Sequence, residues 1–379
     1  MTVPRVLHIV ENLDRGAVEN WLFRMFLHAR HKGQPLDWTF YCVLGRPGAL
    51  DERVRAAGGK ITYSPVPIGQ KMKFARALRE KIRSGRYDVV HAHHDLVSGL
   101  YLTAAMGLPL RLRLIHSHNA DEDVLTRNPL KRGLFRSLLR FAGLHLADRI
   151  VGNSNHVLDT YLAGRARRPG RDIVHYYGVD PAPFRDLQID RAAFRRNLNL
   201  PDDALVLLFA GRIVPEKNPV FALDVLAALR EREPRVVLLY AGSGSEEGPV
   251  AARSKALGLE EHVHMMGWSG NLPSVMAQCD WFILPRPDKP MEGFGLAVVE
   301  AQLAGLRMLL SRGIPDDPLL PTARYRRLGL EENPDRWAEA AIDLLHEAPP
   351  TRQDALAAHE QSEFAMDTAL KCLRALYTS

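Results

Sequence analysis

Short apolar runs rich in Val, Leu and Ile alternate with longer amphipathic stretches along the chain. The short runs predict strands at Val6–Val10, Trp38–Leu44, Ile61–Val66, Val89–His93, Leu112–His116, Ile150–Asn153 and Ile173–Tyr176. Between them the 3.6-residue period predicts helices at Asn20–Arg30, Phe74–Arg83, Ser98–Met106 and Lys131–Leu144. The rhythm then restarts. Strands are predicted at Val206–Ala210, Val236–Ala241, Val263–Met266, Phe282–Leu284 and Met308–Leu310. Helices are predicted at Val220–Arg230, Glu247–Leu257, Leu272–Gln278, Leu296–Ala304 and Asp335–His346. Strand–helix alternation implies a parallel sheet covered by helices on both faces, and two blocks imply two such domains. The fold class is α/β, with two Rossmann-like doubly wound domains at residues 1–180 and 188–359, their ligand sites expected at strand C-termini facing across a cleft. The segment Gly178–Leu187, with Pro181 and Pro183, reads as the linker, and a charged helix Asp190–Asn197 follows. A last helical stretch, Asp354–Leu376, has no strand after it. Residues 360–379 are expected to pack back on the first domain.

Composition narrows the class. The 379 residues are 46% hydrophobic, as in a water-soluble globular protein. No apolar run reaches the roughly 20 residues that span a bilayer, and the start, Met1-Thr2-Val3-Pro4-Arg5, has no signal-peptide pattern. Three scattered cysteines, Cys42, Cys279 and Cys372, suggest neither a disulfide framework nor a zinc site and fit a cytoplasmic location. Charge is uneven. Residues 1–189 carry 29 Lys and Arg against 17 Asp and Glu, a net of +12. Residues 190–379 carry 21 against 27, a net of −6. Basic clusters with interleaved apolar residues lie at Lys71-Met72-Lys73 with Arg76 and Arg79, at Lys81 and Arg83, and at Lys131-Arg132 with Arg136 and Arg140. A further cluster is Arg165, Arg167, Arg168 and Arg171. Each alone reads as a solvated face. Together they suit an anionic membrane surface, at the inner face of the cytoplasmic membrane, or a polyanionic lipid carrier. No zinc-finger or RNA-recognition signature supports a nucleic-acid partner.

Candidate chemistry gathers at predicted strand ends of the second domain. Leu205–Ala210 runs into Gly211-Arg212-Ile213-Val214-Pro215-Glu216-Lys217. Arg212 and Lys217 can neutralise a diphosphate, one by a planar fork and the other as a point charge; alone they read equally as exposed loop cations. Tyr240-Ala241 runs into the turn Gly242-Ser243-Gly244, and Met265-Met266 into Gly267. Leu284-Pro285-Arg286 leads to Glu292-Gly293-Phe294-Gly295-Leu296-Ala297-Val298-Val299-Glu300. A helix starting at Gly295 would aim free N–H groups toward whatever Glu292 touches. The two acids could hold opposite ends of a sugar–diphosphate–nucleoside, or be a helix-entry acid and a surface helix acid.

With these elements in order, the chain resembles the retaining glycosyltransferases of family 4, of the GT-B fold. Gly211-Arg212 with Lys217, Gly242 with Gly244, Gly267, and the Glu292–Glu300 pair carry the resemblance, which covers nearly the whole chain. Leu7-His8-Ile9-Val10 with Leu13–Gly16, Asp88–His93 and Ile115–Asn119 are similar to the branch that builds exopolysaccharides and lipopolysaccharides. The resemblance implies that Glu300 binds the ribose and Glu292 the donor sugar. It implies that backbone N–H groups of the Gly293, Phe294, Gly295, Leu296 turn face the diphosphate, which Arg212 and Lys217 neutralise. Gly16, Gly242 and Gly267 belong to the donor site. His118 matches the family's active-site histidine, so that His118, Glu292, Arg212 and Lys217 form the catalytic set. His93 and His116 read either as sugar- or acceptor-proximal groups or as strand-end histidines with local hydrogen bonds.

The implied activity is transfer of a sugar from a UDP- or GDP-sugar to a glycan or polyprenyl-diphosphate-linked glycan, with retention and with no cofactor or metal. Positive side chains and a helix N-terminus would stabilise the leaving diphosphate. The acidic clusters Asp121-Glu122-Asp123 and Asp316-Asp317 lie away from strand ends of the donor domain and read as solvated acids rather than metal ligands. Three departures from the family stand out: Ala17 where a second glycine is usual, Tyr177 where an asparagine is usual, and an altered segment from Gly313 to Pro318. Ala17 and Tyr177 leave open a non-catalytic nucleotide-sugar- or glycan-binding relative. A nicotinamide-dependent oxidoreductase fails, because Glu11–Gly16 after the first strand is not Gly-x-Gly-x-x-Gly. A pyridoxal-phosphate-dependent phosphorylase ranks last.

Overall fold

A computed structural model describes residues 3–14, 16–119 and 129–378, with the backbone alone at 129–131. Arg15, the Asp121-Glu122-Asp123 cluster and the Lys131 side chain therefore lie outside the described residues. The chain divides into two compact units. The N-terminal unit comprises Met1–Val179 with Glu363–Ser379, and the C-terminal unit Asp180–Ser362.

In the N-terminal unit seven strands form one parallel sheet: β1 (Arg5–Val10), β2 (Asp37–Cys42), β3 (Lys60–Tyr63), β4 (Val89–Ala92), β5 (Leu112–Ser117), β6 (Arg149–Gly152) and β7 (Asp172–Val174). Their order is β3-β2-β1-β4-β5-β6-β7. Strand direction of winding reverses between β1 and β4. On one face Leu7, Ile9, Val90 and Ile115 pack with Phe74, Leu78 and Ile82 of the helix Lys71–Gly85, whose buried residues recur every fourth position. That spacing is the sequence cause of the packing, because it sets one apolar stripe along a helix. The opposite face of β1, β4 and β5 carries His8, His91 and His116, all fully buried, beside the buried aliphatic Val6, Val10 and Leu114.

The C-terminal unit holds six parallel strands: β8 (Leu205–Ala210), β9 (Val236–Ala241), β10 (Val263–Gly267), β11 (Trp281–Leu284), β12 (Arg307–Ser311) and β13 (Tyr325–Leu328). The order β10-β9-β8-β11-β12-β13 puts the reversal between β8 and β11. Ligands of such sheets bind outside the strand C-termini at that reversal. β13 is absent from the sequence-based expectation. Its Tyr-Arg-Arg-Leu has no apolar run because it is an edge strand with one neighbour.

The last helical stretch is two helices, Arg352–Glu360 and Met366–Thr378. Between them the backbone bonds the end of the N-terminal unit, Val179 N–H donating to the Phe364 carbonyl at 2.9 Å. The second helix is then held in that unit by Asp367, which pairs with His28 at 2.6 Å and Lys32 at 2.9 Å. Among the described residues no helix is long and apolar enough to cross a membrane.

Candidate functional site

Three loops meet at the β8/β11 reversal of the C-terminal unit. Gly211, at φ +138°, releases the chain from β8. The exit loop of β9 lies directly on it: Gly211 N–H donates to the Ala241 carbonyl and Ile213 N–H to the Ser243 carbonyl, both at 3.0 Å. A Cβ on Gly242 would stand 1.9 Å from the Gly211 oxygen, and one on Gly244 2.1 Å from the Ile213 oxygen. Those distances are far inside van der Waals contact, so the Gly-x-Gly turn is required by loop-on-loop packing. Gly267 bridges to Gly242, tying in β10.

This packing sets the position of Lys217, at the end of the β8 loop. Its Nζ lies 2.6 Å from Glu292 Oε2. Arg286, two residues beyond β11, brings Nη1 to 3.3 Å from the same oxygen. Arg286 is itself fixed, its Nε–H donating to the Pro290 carbonyl at 3.0 Å. Lys217, Arg286 and Glu292 side chains are 16%, 11% and 15% exposed. Burial pushes the Glu292 carboxyl up, but Lys217, Arg286 and Arg212 outweigh it and hold the group below the usual glutamate range. Glu292 is therefore a carboxylate at neutral pH and not a general acid. Three cations around one carboxylate leave a net charge of +2, with Arg212 exposed at the rim.

The helix Leu296–Leu303 begins just above. Its N-cap is Gly295 at φ +92°; Val298 N–H donates to the Gly295 carbonyl at 2.9 Å, and no side-chain oxygen caps the first turn. Phe294 is buried beneath the turn. Glu300 lies in the middle of this helix and is half-buried. The segment from Gly313 to Pro318 forms the far wall. The Gly313 carbonyl accepts the Glu292 N–H at 2.8 Å, and a Cβ on Gly313 would meet the Pro287 oxygen at 2.2 Å. Gln302 Nε2 donates to the Pro318 carbonyl at 2.9 Å. Asp316 pairs with Arg327 at 2.6 Å.

The N-terminal unit gathers a second set. His8, His93, His118 and Tyr177 form a chain of contacts. His8 Nδ1 is 3.0 Å from His93 Nε2, His93 Nδ1 is 2.9 Å from His118 Nε2, and His118 Nδ1 is 2.7 Å from the Tyr177 hydroxyl. The adjacent rings are within 20° of parallel at 5.2 to 5.6 Å, the geometry of imidazoles joined edge to edge. A second chain runs from the Tyr377 hydroxyl to His91 Nδ1 (2.8 Å) and from His91 Nε2 to His116 Nδ1 (3.3 Å). His175 Nε2 donates to the Ala369 carbonyl at 3.0 Å. Burial holds His8 down to about 3. Burial first, then the neighbouring imidazoles, holds His91, His93, His116 and His118 well below the ordinary histidine range. The rings are neutral.

A neutral imidazole has one N–H and one lone pair. The two interior rings, His93 and His118, must therefore each donate with one nitrogen and accept with the other, in the same sense. Tyr177 and His93 together set the tautomer of His118. His8-His91-His93 and His93-His116-His118 each bring three ring nitrogens within 4.8 Å. Those of His93 and His118 are within hydrogen-bond distance of one another. In the geometry seen, these rings are joined into a hydrogen-bonded chain.

Asp95 fixes the loop beyond β5. It sits at φ +40°, and its Oδ1 accepts from Ser117 Oγ (2.8 Å), His118 N–H (2.7 Å) and Asn119 N–H (3.2 Å). Sequence reasoning missed Asp95 and Arg286; their signal was only their place beside His93-His94 and at the end of β11. It also read Tyr177 as a departure, whereas the ring takes part in orienting His118. Ala17 is the first residue of the helix Ala17–His31, and Gly16 before it has φ −73°. Neither position requires the left-handed conformation that a second glycine would allow.

The sequence from 190 to 360 matches the family model for glycosyl transferases group 1, and 27–183 that for glycosyltransferase family 4. The putative glycosyltransferase EpsF of Bacillus subtilis (strain 168) is 27% identical over 92% of this chain and 90% of its own length. A D-inositol 3-phosphate glycosyltransferase of Streptomyces scabiei (strain 87.22) is 30% identical over 98% of this chain and 85% of its own. Among solved structures, Anabaena HepE in complex with UDP superposes with a TM-score of 0.78 at 17% identity, over 97% of this chain and 98% of that one. WaaG, a glycosyltransferase involved in lipopolysaccharide biosynthesis, gives 0.73 at 15% identity, over 99% and 100% of the two chains.

Proposed function

The chain belongs to glycosyltransferase family 4 and is a glycosyltransferase of the GT-B fold, and on that premise we propose that it is a retaining, metal-independent enzyme using a UDP- or GDP-sugar. The observation that carries this reading is the Lys217–Glu292–Arg286 cluster at the strand reversal. Its excess positive charge, next to a helix N-terminus without a side-chain cap, suits a diphosphate.

In this reading the diphosphate lies against Arg212, Lys217, Arg286 and the N–H groups of the Phe294-Gly295-Leu296 turn. Glu300 takes the ribose hydroxyls. Glu292 accepts from hydroxyls of the donor sugar while remaining ionised. The bond from the anomeric carbon to the diphosphate breaks, and the diphosphate leaves with the electron pair. The acceptor oxygen bonds the same face of that carbon, and its proton passes to the departing diphosphate. The cations and helix N-terminus stabilise charge that grows as that bond lengthens, the type of term that accounts for much of enzymatic rate enhancement. His118 is held by Asp95, which accepts its backbone N–H, and by Tyr177. Both of its nitrogens are already hydrogen-bonded, so a sugar hydroxyl competes with Tyr177 or His93.

The acceptor is assigned to the N-terminal unit, as a glycan or polyprenyl-diphosphate-linked glycan of surface-polysaccharide synthesis at the cytoplasmic membrane. HepE has been seen with UDP and UDP-glucose, which makes these the first donors to try. A panel of UDP- and GDP-sugars, scored by thermal stabilisation and by release of the free sugar in the presence of EDTA, tests the reading. A true donor raises the midpoint by mass action and is slowly hydrolysed. Stabilisation without turnover of any donor–acceptor pair would favour the binding-only relative.

A further inference from the structure

Three rings of the histidine layer meet at one corner of the N-terminal sheet. His93 follows β4, His116 lies in β5 and His118 follows it. His93 Nδ1 and His118 Nε2 face each other at 2.9 Å. His116 brings a third ring nitrogen within 4.8 Å of both, and its Nε2 is buried without a partner among the described residues. Neutral imidazoles are the ligand form for zinc and its neighbours, whereas magnesium and calcium take oxygen. Each of the three rings also has a second imidazole or a phenol behind it. His93 Nε2 meets His8 Nδ1 at 3.0 Å, His118 Nδ1 meets the Tyr177 hydroxyl at 2.7 Å, and His116 Nδ1 meets His91 Nε2 at 3.3 Å. Outer partners of this kind fix the tautomer and orientation of a metal-bound imidazole.

We propose that His93, His116 and His118 bind a zinc-class ion, and that this ion switches the transferase off. Between His93 and His118 lie one N–H and one lone pair. In the metal-bound state each ring keeps its proton on the outer nitrogen, donating to His8 Nδ1 or to the Tyr177 oxygen, and the two inner lone pairs turn to the ion. Zinc–nitrogen bonds of about 2.0–2.1 Å set tetrahedral ligand nitrogens about 3.3 Å apart. The His93–His118 pair opens slightly, His116 closes in, and a fourth position is left for water. Asp95, which accepts the His118 backbone N–H at 2.7 Å, brings a carboxyl group to the same corner, where a dication is costly without one. Once bound to the ion, His118 Nε2 has neither a lone pair nor an N–H for a sugar hydroxyl. The inhibitory half rests on the place of His118 in the catalytic set proposed above. Binding does not, and is measured without turnover.

The test titrates Co2+, a coloured stand-in for Zn2+, into the full chain after metal and chelator have been removed. Co2+ should give the visible absorption of a four-coordinate, nitrogen-ligated ion, and Zn2+ should bleach it. X-ray absorption of the Zn2+-loaded wild type should count three imidazoles, a reading that needs no variant. His116→Gln and His118→Gln should each weaken Co2+ binding at least about tenfold, the loss expected even for an outer partner. His175→Gln removes a comparably buried histidine outside the group and should bind as wild type does, with circular dichroism showing which variants are folded. Zn2+ should slow release of free sugar from an accepted donor at least about tenfold, and EDTA should restore it. No four-coordinate absorption, two or fewer imidazoles, or an equal loss in His175→Gln would overturn the site. Binding with unslowed turnover would overturn the inhibition. A chain that binds the ion but turns over no donor fails the transferase reading and leaves the site standing.

Discussion

Lys217 Nζ and Glu292 Oε2 lie 2.6 Å apart, with both side chains largely buried. Read separately in the sequence, they are a phosphate-neutralising cation and a sugar-holding acid. Together they are one ion pair, 75 positions apart in the chain, that sets the shape and charge of the β8/β11 reversal. Arg286 makes it a trio. The arrangement keeps Glu292 ionised and leaves positive charge over, so the carboxylate orients the cations as much as it waits for a sugar.

Lys217→Ala is therefore expected to affect two quantities. Turnover should fall about 10²- to 10³-fold, as when one preorganised donor to developing negative charge is removed. Stability should fall too. Removing one partner of a buried pair costs roughly 3–5 kcal/mol, and Arg286 remains on Glu292, so about 3 kcal/mol is expected. Single-turnover kinetics and a denaturant curve check both. Unimpaired turnover would remove Lys217 from the mechanism.

Arg286 holds the Pro290 carbonyl with Nε and Glu292 with Nη1. A lysine has one point charge and cannot make both contacts. Arg286→Lys should recover little of the loss in Arg286→Ala, both raising KM for the donor about tenfold or more through the misplaced Glu292 loop. A lysine variant with wild-type kinetics would show that charge alone matters there.

Six buried histidines and the half-buried His94 give the N-terminal unit a pH dependence. His8, His91, His93, His94, His116, His118 and His175 are all held below their ordinary range by burial. Below about pH 6.5 the unfolded chain binds protons that the folded unit refuses, so stability falls as pH falls. The loss sets in near pH 6.5, where the unfolded imidazoles begin to take up protons. Glu19, raised by burial to about 7, works in the opposite sense over the range down to its ordinary value and offsets about one histidine. Hydrogen exchange across pH 7 to 4.5 should show residues 3–119 losing protection before residues 190–360. Simultaneous loss, or none, would contradict the neutral-layer account.

Tyr177→Phe removes the hydroxyl from His118 Nδ1. An unpaired buried polar atom costs about 1–3 kcal/mol, and the tautomer of the whole His118–His93–His8 chain loses its anchor. The imidazole NMR spectrum should change at all three rings, not only at His118. A change confined to His118 would show that the chain is not coupled.

Strand ends and the order of motifs were legible because apolar runs of β-branched and leucine residues are local signals, as at Val236–Ala241. The missed elements share one cause, dependence on distant partners. β13 is polar because it lies at an edge, with Tyr325 pairing only Met308. Arg286 has meaning only once β8 lies beside β11. Gly242 read as a donor-site glycine, and its lack of a side chain is also required by the Gly211 backbone. His93 and His116 read either as sugar- or acceptor-proximal groups or as strand-end histidines with local hydrogen bonds, and both make such bonds.

The central claim is that the β8/β11 reversal binds a nucleoside diphosphate through its cations. Calorimetric titration of UDP, UMP, GDP and GMP into wild type and Arg212→Ala tests it directly, since Arg212 is exposed and its loss leaves the buried pair intact. For the preferred base, the diphosphate should bind at least about tenfold more tightly than the monophosphate, a gain of about 1.4 kcal/mol, and Arg212→Ala should abolish most of that difference. Equal binding of mono- and diphosphate by wild type, or an undiminished difference in the variant, would contradict the account.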